Sequence, residues 1–185
     1  MVCLGKNSLV MKGKEESVLV DVDDKSKLKY KSRVAIYTKG SFDGMDLKDE
    51  PGGVSIRGAG EYEVGGVSIM GVSGGEDRTV YRIEMDGVVV GILGDFTEPL
   101  SDKRIERLDG MDVLVVSINQ NIKLALSWAK RWGVNYLIPM GFEEGDGKLK
   151  SFLDLVDRED LEAVPSLKVD KVNLPEGMEV VVLCP

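Results

Sequence analysis

Histidine is absent from all 185 residues of the chain. That single absence removes every Ser-His-Asp or Cys-His relay, every imidazole general base and every His-ligated metal. Aromatic residues reach only 6%. No stretch approaches the ~20 apolar residues of a membrane span. The segment Met1 to Val10 holds one lysine and no apolar core long enough for a secretory signal. Cysteine is scarce as well: Cys3 and Cys184 sit at opposite ends, which fits neither a zinc-site spacing nor a disulfide framework. Both lie in apolar, strand-like segments and read as buried reduced thiols. Positive charge is outweighed, with 24 Lys and Arg against 32 Asp and Glu and a formal charge of −8. Affinity for phosphate backbones rests largely on Lys and Arg, so the balance argues against nucleic acid as a partner. The expectation is a soluble, acidic, cytoplasmic protein with no membrane or nucleic-acid role.

What is present is ordinary globular composition, 43% apolar and 30% charged, at a length that suits one domain over residues 1–185. Short apolar runs punctuated by Gly, Asp and Lys fill the first half. They predict strands at Val2–Leu4, Leu9–Lys12, Val18–Val22, Arg33–Tyr37, Val54–Arg57, Gly60–Val64, Val67–Val72, Arg78–Met85 and Val88–Leu93. Thr38–Pro51 reads as a loop. Gly65-Gly66 and Asp86-Gly87 are two-residue hairpin signals, since both tolerate positive φ. Strand and helix alternate in the second half: a helix capped by Ser101 and running to Leu108, a strand over Val113–Ile118, and a helix over Ile122–Trp132 closed by Gly133. A strand over Tyr136–Pro139 stopped by its proline, a helix over Leu149–Val156 and a strand over Val180–Leu183 complete the pattern. Strands first, then alternation, point to an α/β sandwich with helices outside the sheets.

Several local signals read as structure rather than chemistry. Gly58-Ala59-Gly60 opens like a dinucleotide fingerprint, but Glu63 stands where a third glycine belongs and no helix follows. Glu61 and Glu63 share one strand face and read as solvated. Trp128 and Trp132 share one helix face and read as core. Lys25, Lys27, Lys29 and Lys31 alternate in a segment after Asp23-Asp24 and read as solvated spacing.

The segments Gly60-Glu61-Tyr62-Glu63-Val64, Gly66-Val67-Ser68-Ile69 and Tyr81 to Gly87 resemble the middle of metallo-β-lactamase-fold hydrolases. The small bacterial branch similar to ascorbate-6-phosphate lactonase is the nearest likeness. The match continues through Leu93-Gly94-Asp95, Pro99 to Asp102, Met111 to Leu114, Ile138-Pro139-Met140 and Leu174-Pro175-Glu176. The resemblance implies a four-layer αββα sandwich of two mixed sheets, with a dinuclear metal site at the strand ends between them.

Measured against that family the chain has lost its imidazoles. Gly5, Lys6, Asn7 and Ser8 stand in place of an N-terminal Gly-His-Ser. Lys39, Gly40, Ser41, Phe42, Asp43 and Gly44 stand in place of His-x-His-x-Asp-His, so Asp43 alone survives. The next histidine falls in Ser73–Asp77, which offers Glu76 and Asp77. The bridging aspartate is present as Asp95, and Gly141 replaces the final histidine. Each ion of a dinuclear hydrolytic site needs about four ligands. The resemblance therefore implies a degenerate, zinc-free site whose vestigial positions are Lys6, Lys39, Ser41, Asp43, Gly44, Asp95 and Gly141. The expected role is a non-catalytic module that binds a small anionic ligand or a protein, a second copy of itself included. The alternative is a hydrolase of lactones or phosphoesters holding Mg²⁺ or Mn²⁺ on Asp43, Asp95, Glu76 and Asp77. Asp43 and Asp95 without ions would repel, which predicts that Lys6 or Lys39 supplies their counter-charge.

Overall fold

Short apolar runs build most strands where the sequence predicts them, buried on both faces in β4 and β10, while β6 alternates between partly buried and exposed side chains. The computed structural model describes residues 1–23, 31–44, 46–47, 50–119, 121–143 and 145–183. Val2–Cys3 (β1), Leu9–Lys12 (β2), Ser17–Val20 (β3), Val34–Tyr37 (β4) and Val54–Arg57 (β5) form one sheet in that spatial order. Its first three strands are antiparallel, whereas β3, β4 and β5 run parallel. Gly60–Val64 (β6), Val67–Ser73 (β7), Thr79–Met85 (β8), Val88–Ile92 (β9), Val113–Ser117 (β10), Tyr136–Met140 (β11) and Glu179–Val180 (β12) form the second, in the order β12-β11-β10-β9-β8-β7-β6. Strands β6 to β9 are an antiparallel meander, and β9 to β12 are parallel. The hairpin between β8 and β9 turns through Asp86 at φ 53° and Gly87 at φ 79°, both positive as a type I′ turn demands.

The period of two sorts the side chains. In β3, Val18 and Val20 face the other sheet and Leu19 faces away; in β9, Val90 and Ile92 face inward. The inter-sheet core takes Leu9, Met11, Ile36 and Ile56 from one sheet and Ile69, Tyr81, Ile83, Val113 and Ile138 from the other. Helices Asp102–Arg107 (α1), Ile122–Trp132 (α2) and Lys148–Leu155 (α3) cover the outer face of the larger sheet through Ile105, Ala125, Trp128, Trp132, Phe152 and Leu153. Over the outer face of the smaller sheet, Val22, Leu47 and Phe42 pack on Leu19, Ala35 and Tyr37. Among the described residues that fourth layer is loop rather than helix. The sandwich of two mixed sheets is the architecture the resemblance implies.

Local readings fare as their physics dictates. Trp128 and Trp132 are core, and the Trp132 indole donates to the Ile105 carbonyl at 3.0 Å. Glu61 and Glu63 are exposed. Cys3 is buried and its thiol lies 3.0 Å from the Gly5 carbonyl oxygen; Cys184 lies outside the described residues, as do Lys25, Lys27 and Lys29. Ser101 holds the N-cap position of α1 with its backbone, without a side-chain capping bond. Pro139 does not stop β11, which continues to Met140. Odd-numbered residues there face β12, as the bond from Val181 N–H to the Leu137 carbonyl shows. The missing N–H of Pro139 thus falls beyond the end of the two-residue β12. No helix among the described residues is long and apolar enough to cross a membrane.

Tyr81 ties the two sheets together. Fully buried on β8, its hydroxyl donates to the Tyr37 carbonyl at the end of β4, 3.1 Å away, and accepts the Gly58 N–H at 3.1 Å. Burial pushes this phenol up to about 12, so it stays a donor. Two backbone bonds beside it do the same work: Thr79 N–H to the Thr38 carbonyl at 2.8 Å and Gly40 N–H to the Asp77 carbonyl at 3.2 Å. Tyr81→Phe leaves the Gly58 N–H and the Tyr37 carbonyl without this partner in a dry site, at a cost of about 1–3 kcal/mol. Urea unfolding should show that loss for Tyr81→Phe. Tyr62→Phe, whose hydroxyl is exposed, should stay within about 0.5 kcal/mol of the parent.

Candidate functional site

The strands of the two sheets deliver their C-terminal ends to one pocket of about 110 Å³. Val20 and Asp21 come from β3 and its end, Thr38 and Lys39 follow β4, and Gly94 and Asp95 follow β9. Ser117 ends β10, Met140 ends β11, and Asn7 comes from the β1–β2 turn. Arg78 enters from the residue before β8, in an isolated backbone bridge with Lys39. The floor is apolar, with Leu9, Val20, Ile92, Val115 and Met140. Polar strand ends around an apolar floor follow from the fold: apolar side chains pair the sheets, and beyond the last ladder bond the backbone and its polar residues turn free.

Asp21 leaves β3 at φ 48° and reaches across to β4. Its carboxylate accepts the Thr38 N–H at 2.8 Å and the Thr38 hydroxyl at 2.6 Å. Burial pushes its carboxyl up to about 6; the nearby Asp95 adds to the rise, while the Thr38 bonds and Arg78 oppose it. Gly94 turns the chain into Asp95 at φ 55°, where a Cβ would lie 2.6 Å from the Thr38 Cβ. The position therefore requires glycine on two grounds, conformation and space. Asp95 Oδ1 is buried with no hydrogen-bond partner, and so is Arg78 Nε. Arg78 spends its Nη1 on the Asp77 carbonyl at 3.3 Å.

The vestigial positions scatter. Asp95 and Lys39 line the pocket. Asp43 is exposed and is not part of the lining, because Phe42 turns inward and stacks on Tyr37 with ring centroids 5.7 Å apart. With Phe42 inward, its neighbours Ser41 and Asp43 point to solvent. Ser41 bonds the Asp77 carboxylate through both its N–H and its hydroxyl, and these bonds hold Asp77 below the ordinary aspartate range. Gly44 sits under the Tyr37 ring, where a Cβ would clash at 2.2 Å. Glu76 is exposed. Lys6 pairs with Glu143 at 2.7 Å, which raises its pKa.

The lysine expectation is thus corrected. Neither Lys6 nor Lys39 forms an ion pair with Asp43 or Asp95; Lys6 is taken up by the nearer Glu143. The carboxylate that stands by Asp95 is Asp21, and the guanidinium sharing their pocket is Arg78.

At Gly141, the position that the resemblance aligns with a final histidine, short polar groups pack close. At φ 88° Gly141 donates its N–H to the Lys6 carbonyl at 2.8 Å and accepts from Asn119 Nδ2 at 2.8 Å. A Cβ there would meet Asn119 Nδ2 at 2.6 Å and Ser117 Oγ at 2.9 Å, so short polar side chains already occupy the space. Asp21, Arg78, Asn119 and Ser117 are the residues that motif reasoning missed. A carboxylate in the otherwise apolar run Val18–Val22 was the one local sign of Asp21.

The donor set does not fit a dinuclear centre. The chain has no histidine, and among the described residues no group of three or more His, Cys, Asp or Glu is placed to hold an ion. Asp21 and Asp95 are the carboxylates in the lining, and Arg78 brings positive charge beside them, while Lys39 is exposed and its charge acts on Asp77 outside the pocket.

Comparison with known proteins agrees with this geometry at the level of fold. Residues 2–141 match the family described as the beta-lactamase superfamily domain, and the chain belongs to that superfamily. No curated protein matches it in sequence. A Thermotoga maritima protein of the metallo-beta-lactamase superfamily is similar in structure, with a TM-score of 0.80, 23% identity, and coverage of 98% of this chain and 96% of that one. The metallo-beta-lactamase fold protein YhfI of Bacillus subtilis follows at TM-score 0.61 and 15% identity, covering 95% and 87%. A diphosphatase of the PhnP family gives TM-score 0.60 and 13% identity, covering 95% and 81%. These likenesses establish the metallo-β-lactamase fold.

The raised pKa of Asp21 has a signed consequence. A carboxyl whose folded value lies above its unfolded value near 3.9 favours the folded state in acid, and that stability is lost as pH rises through about 6. Lowering pH from 7 to 5 should stabilise the protein through this group by about 1 kcal/mol. Asp21→Asn keeps an acceptor for the Thr38 N–H, and denaturation at the two pH values should show that share of the dependence gone.

Proposed function

We propose that this protein is a degenerate, metal-free member of the metallo-β-lactamase superfamily that binds a small molecule in the pocket instead of hydrolysing one. The observation that carries this reading is the side-chain set at the strand ends: Arg78 shares the pocket lining with Asp21 and Asp95, and no imidazole stands among them. A dication beside the Arg78 guanidinium is repelled, and short polar side chains at Asn7, Ser117 and Asn119 surround Gly141, where the resemblance expects an imidazole. A small-molecule ligand is favoured over a protein partner because Asp21, Asp95 and Arg78 gather around one pocket of about 110 Å³ with an apolar floor. The net charge of −8 supports a role away from nucleic acid and anionic membranes.

Elemental analysis of protein purified without chelator tests the reading. Zinc, manganese and magnesium should all be substoichiometric, and β-lactam, lactone and phosphodiester substrates should show no turnover above background with added Zn²⁺ or Mn²⁺. Stoichiometric metal, or metal-dependent turnover that disappears in Asp95→Ala, overturns it in favour of a carboxylate-held hydrolase.

A further inference from the structure

We infer that the pocket takes a small zwitterion, an amine-bearing carboxylate whose ammonium meets Asp95 and whose carboxylate meets Arg78. The inference rests on the binding-module reading and names its ligand class. Among the described residues, Asp95 Oδ1 and Arg78 Nε are the buried side-chain nitrogen or oxygen atoms with no hydrogen-bond partner, and both residues line this one pocket. One orphan is an acceptor and the other a donor. An unpaired buried polar group costs free energy until something pairs it, so a ligand that satisfies both has more to gain than one that satisfies either.

The neighbouring groups sharpen the choice. Both oxygens of Asp21 are occupied by Thr38, which leaves Asp95 to face a ligand donor. Arg78 spends Nη1 on Asp77, and Asp77 is held in turn by Ser41, so the guanidinium is braced from outside the pocket. Its Nε belongs to the guanidinium edge that takes a carboxylate through two parallel bonds. A simple anion would leave Asp95 unpaired and a simple cation would leave Arg78 unpaired; a molecule with both charges leaves neither. The volume of about 110 Å³ is on the order of the ~150 Å³ cavity that admits benzene, which limits the ligand to roughly six to eight non-hydrogen atoms. Ile92, Val115 and Met140 accommodate a short aliphatic portion.

Isothermal titration calorimetry on the whole chain, with metal content measured on the same preparation, tests the inference with L-valine, 4-aminobutanoate, 3-methylbutanoate and butylamine. The two amino acids differ in the separation of their charges. The expected result is that one of them binds at least about tenfold tighter than both single-charge probes, the factor that one charge-assisted hydrogen bond supplies. Asp95→Asn should abolish this advantage and leave 3-methylbutanoate no weaker. Arg78→Gln should abolish it and leave butylamine no weaker. Arg78→Lys keeps the charge without the fork and should still weaken the preferred amino acid, which separates lost recognition from a lost fold. Single-charge probes that bind as tightly as the amino acids, or no heat from any of the four at millimolar concentration, overturn the zwitterion. Stoichiometric metal in the preparation overturns the binding-module reading instead.

Discussion

The hydroxyl of Tyr81 fixes the geometry on which the pocket depends. Sheets packed face to face are held mainly by apolar burial, which is strong but has no direction. Two such sheets can settle at several relative offsets with similar energy. A buried phenol that must donate to the Tyr37 carbonyl and accept from Gly58 admits only one. The adjoining backbone bonds of Thr79 to Thr38 and of Gly40 to Asp77 extend that constraint along the same end. Lys39 beside Arg78, and Gly94 tight against Thr38, are consequences of it. The polar groups of the pocket are therefore placed by a directional contact, although the free energy that holds the layers comes from Leu, Ile and Val.

The strands were legible because their signals are local. The apolar run of Val18–Val20, the alternating exposure of Gly60–Val64 and the Gly-Gly and Asp-Gly turns are each readable within a few residues, and the structure agrees to within a residue or two at most boundaries. Pro139 was read as a stop because the rule for proline in a sheet needs to know which neighbour lies on its N–H side. That neighbour, β12, comes from a segment some forty residues later and ends before it is needed. The site was legible only in part. Asp95 is announced by its place after Leu93-Gly94, whereas Asp43 resembled a site residue by its spacing in the motif. Whether Asp43 faces the pocket is decided by Phe42 stacking on a ring of β4, a tertiary contact that spacing does not encode. Arg78 and Asp21 escaped because each stands at the end of a strand-like run, and only the meeting of the two sheets brings them together.

The position that the resemblance aligns with a final histidine is not an empty space in this chain. Asn119, Ser117 and Asn7 close around Gly141, and the Lys6 carbonyl takes the Gly141 N–H, so the wall is knit from short polar groups and backbone. A histidine placed at 141 alone would put a side chain where φ is 88° and the nearest atom is 2.6 Å from the Cβ. An imidazole at this position would need changes at Asn119 and Ser117 as well.

One edge of the larger sheet is β6, Gly60–Val64, and it carries Glu61 and Glu63 on one exposed face. An edge strand offers unpaired backbone groups to any other strand that approaches. Arg107 pairs with Glu61 at 2.7 Å within the chain, Glu63 has no ion-pair partner among the described residues, and the molecule as a whole is strongly acidic. A second copy arriving edge to edge would set like charges opposite one another across the new ladder, where they destabilise pairing. The same alternation that reads as a plain solvated strand thus guards the meander against fibrous self-association, a protection encoded in charge rather than in a covering element.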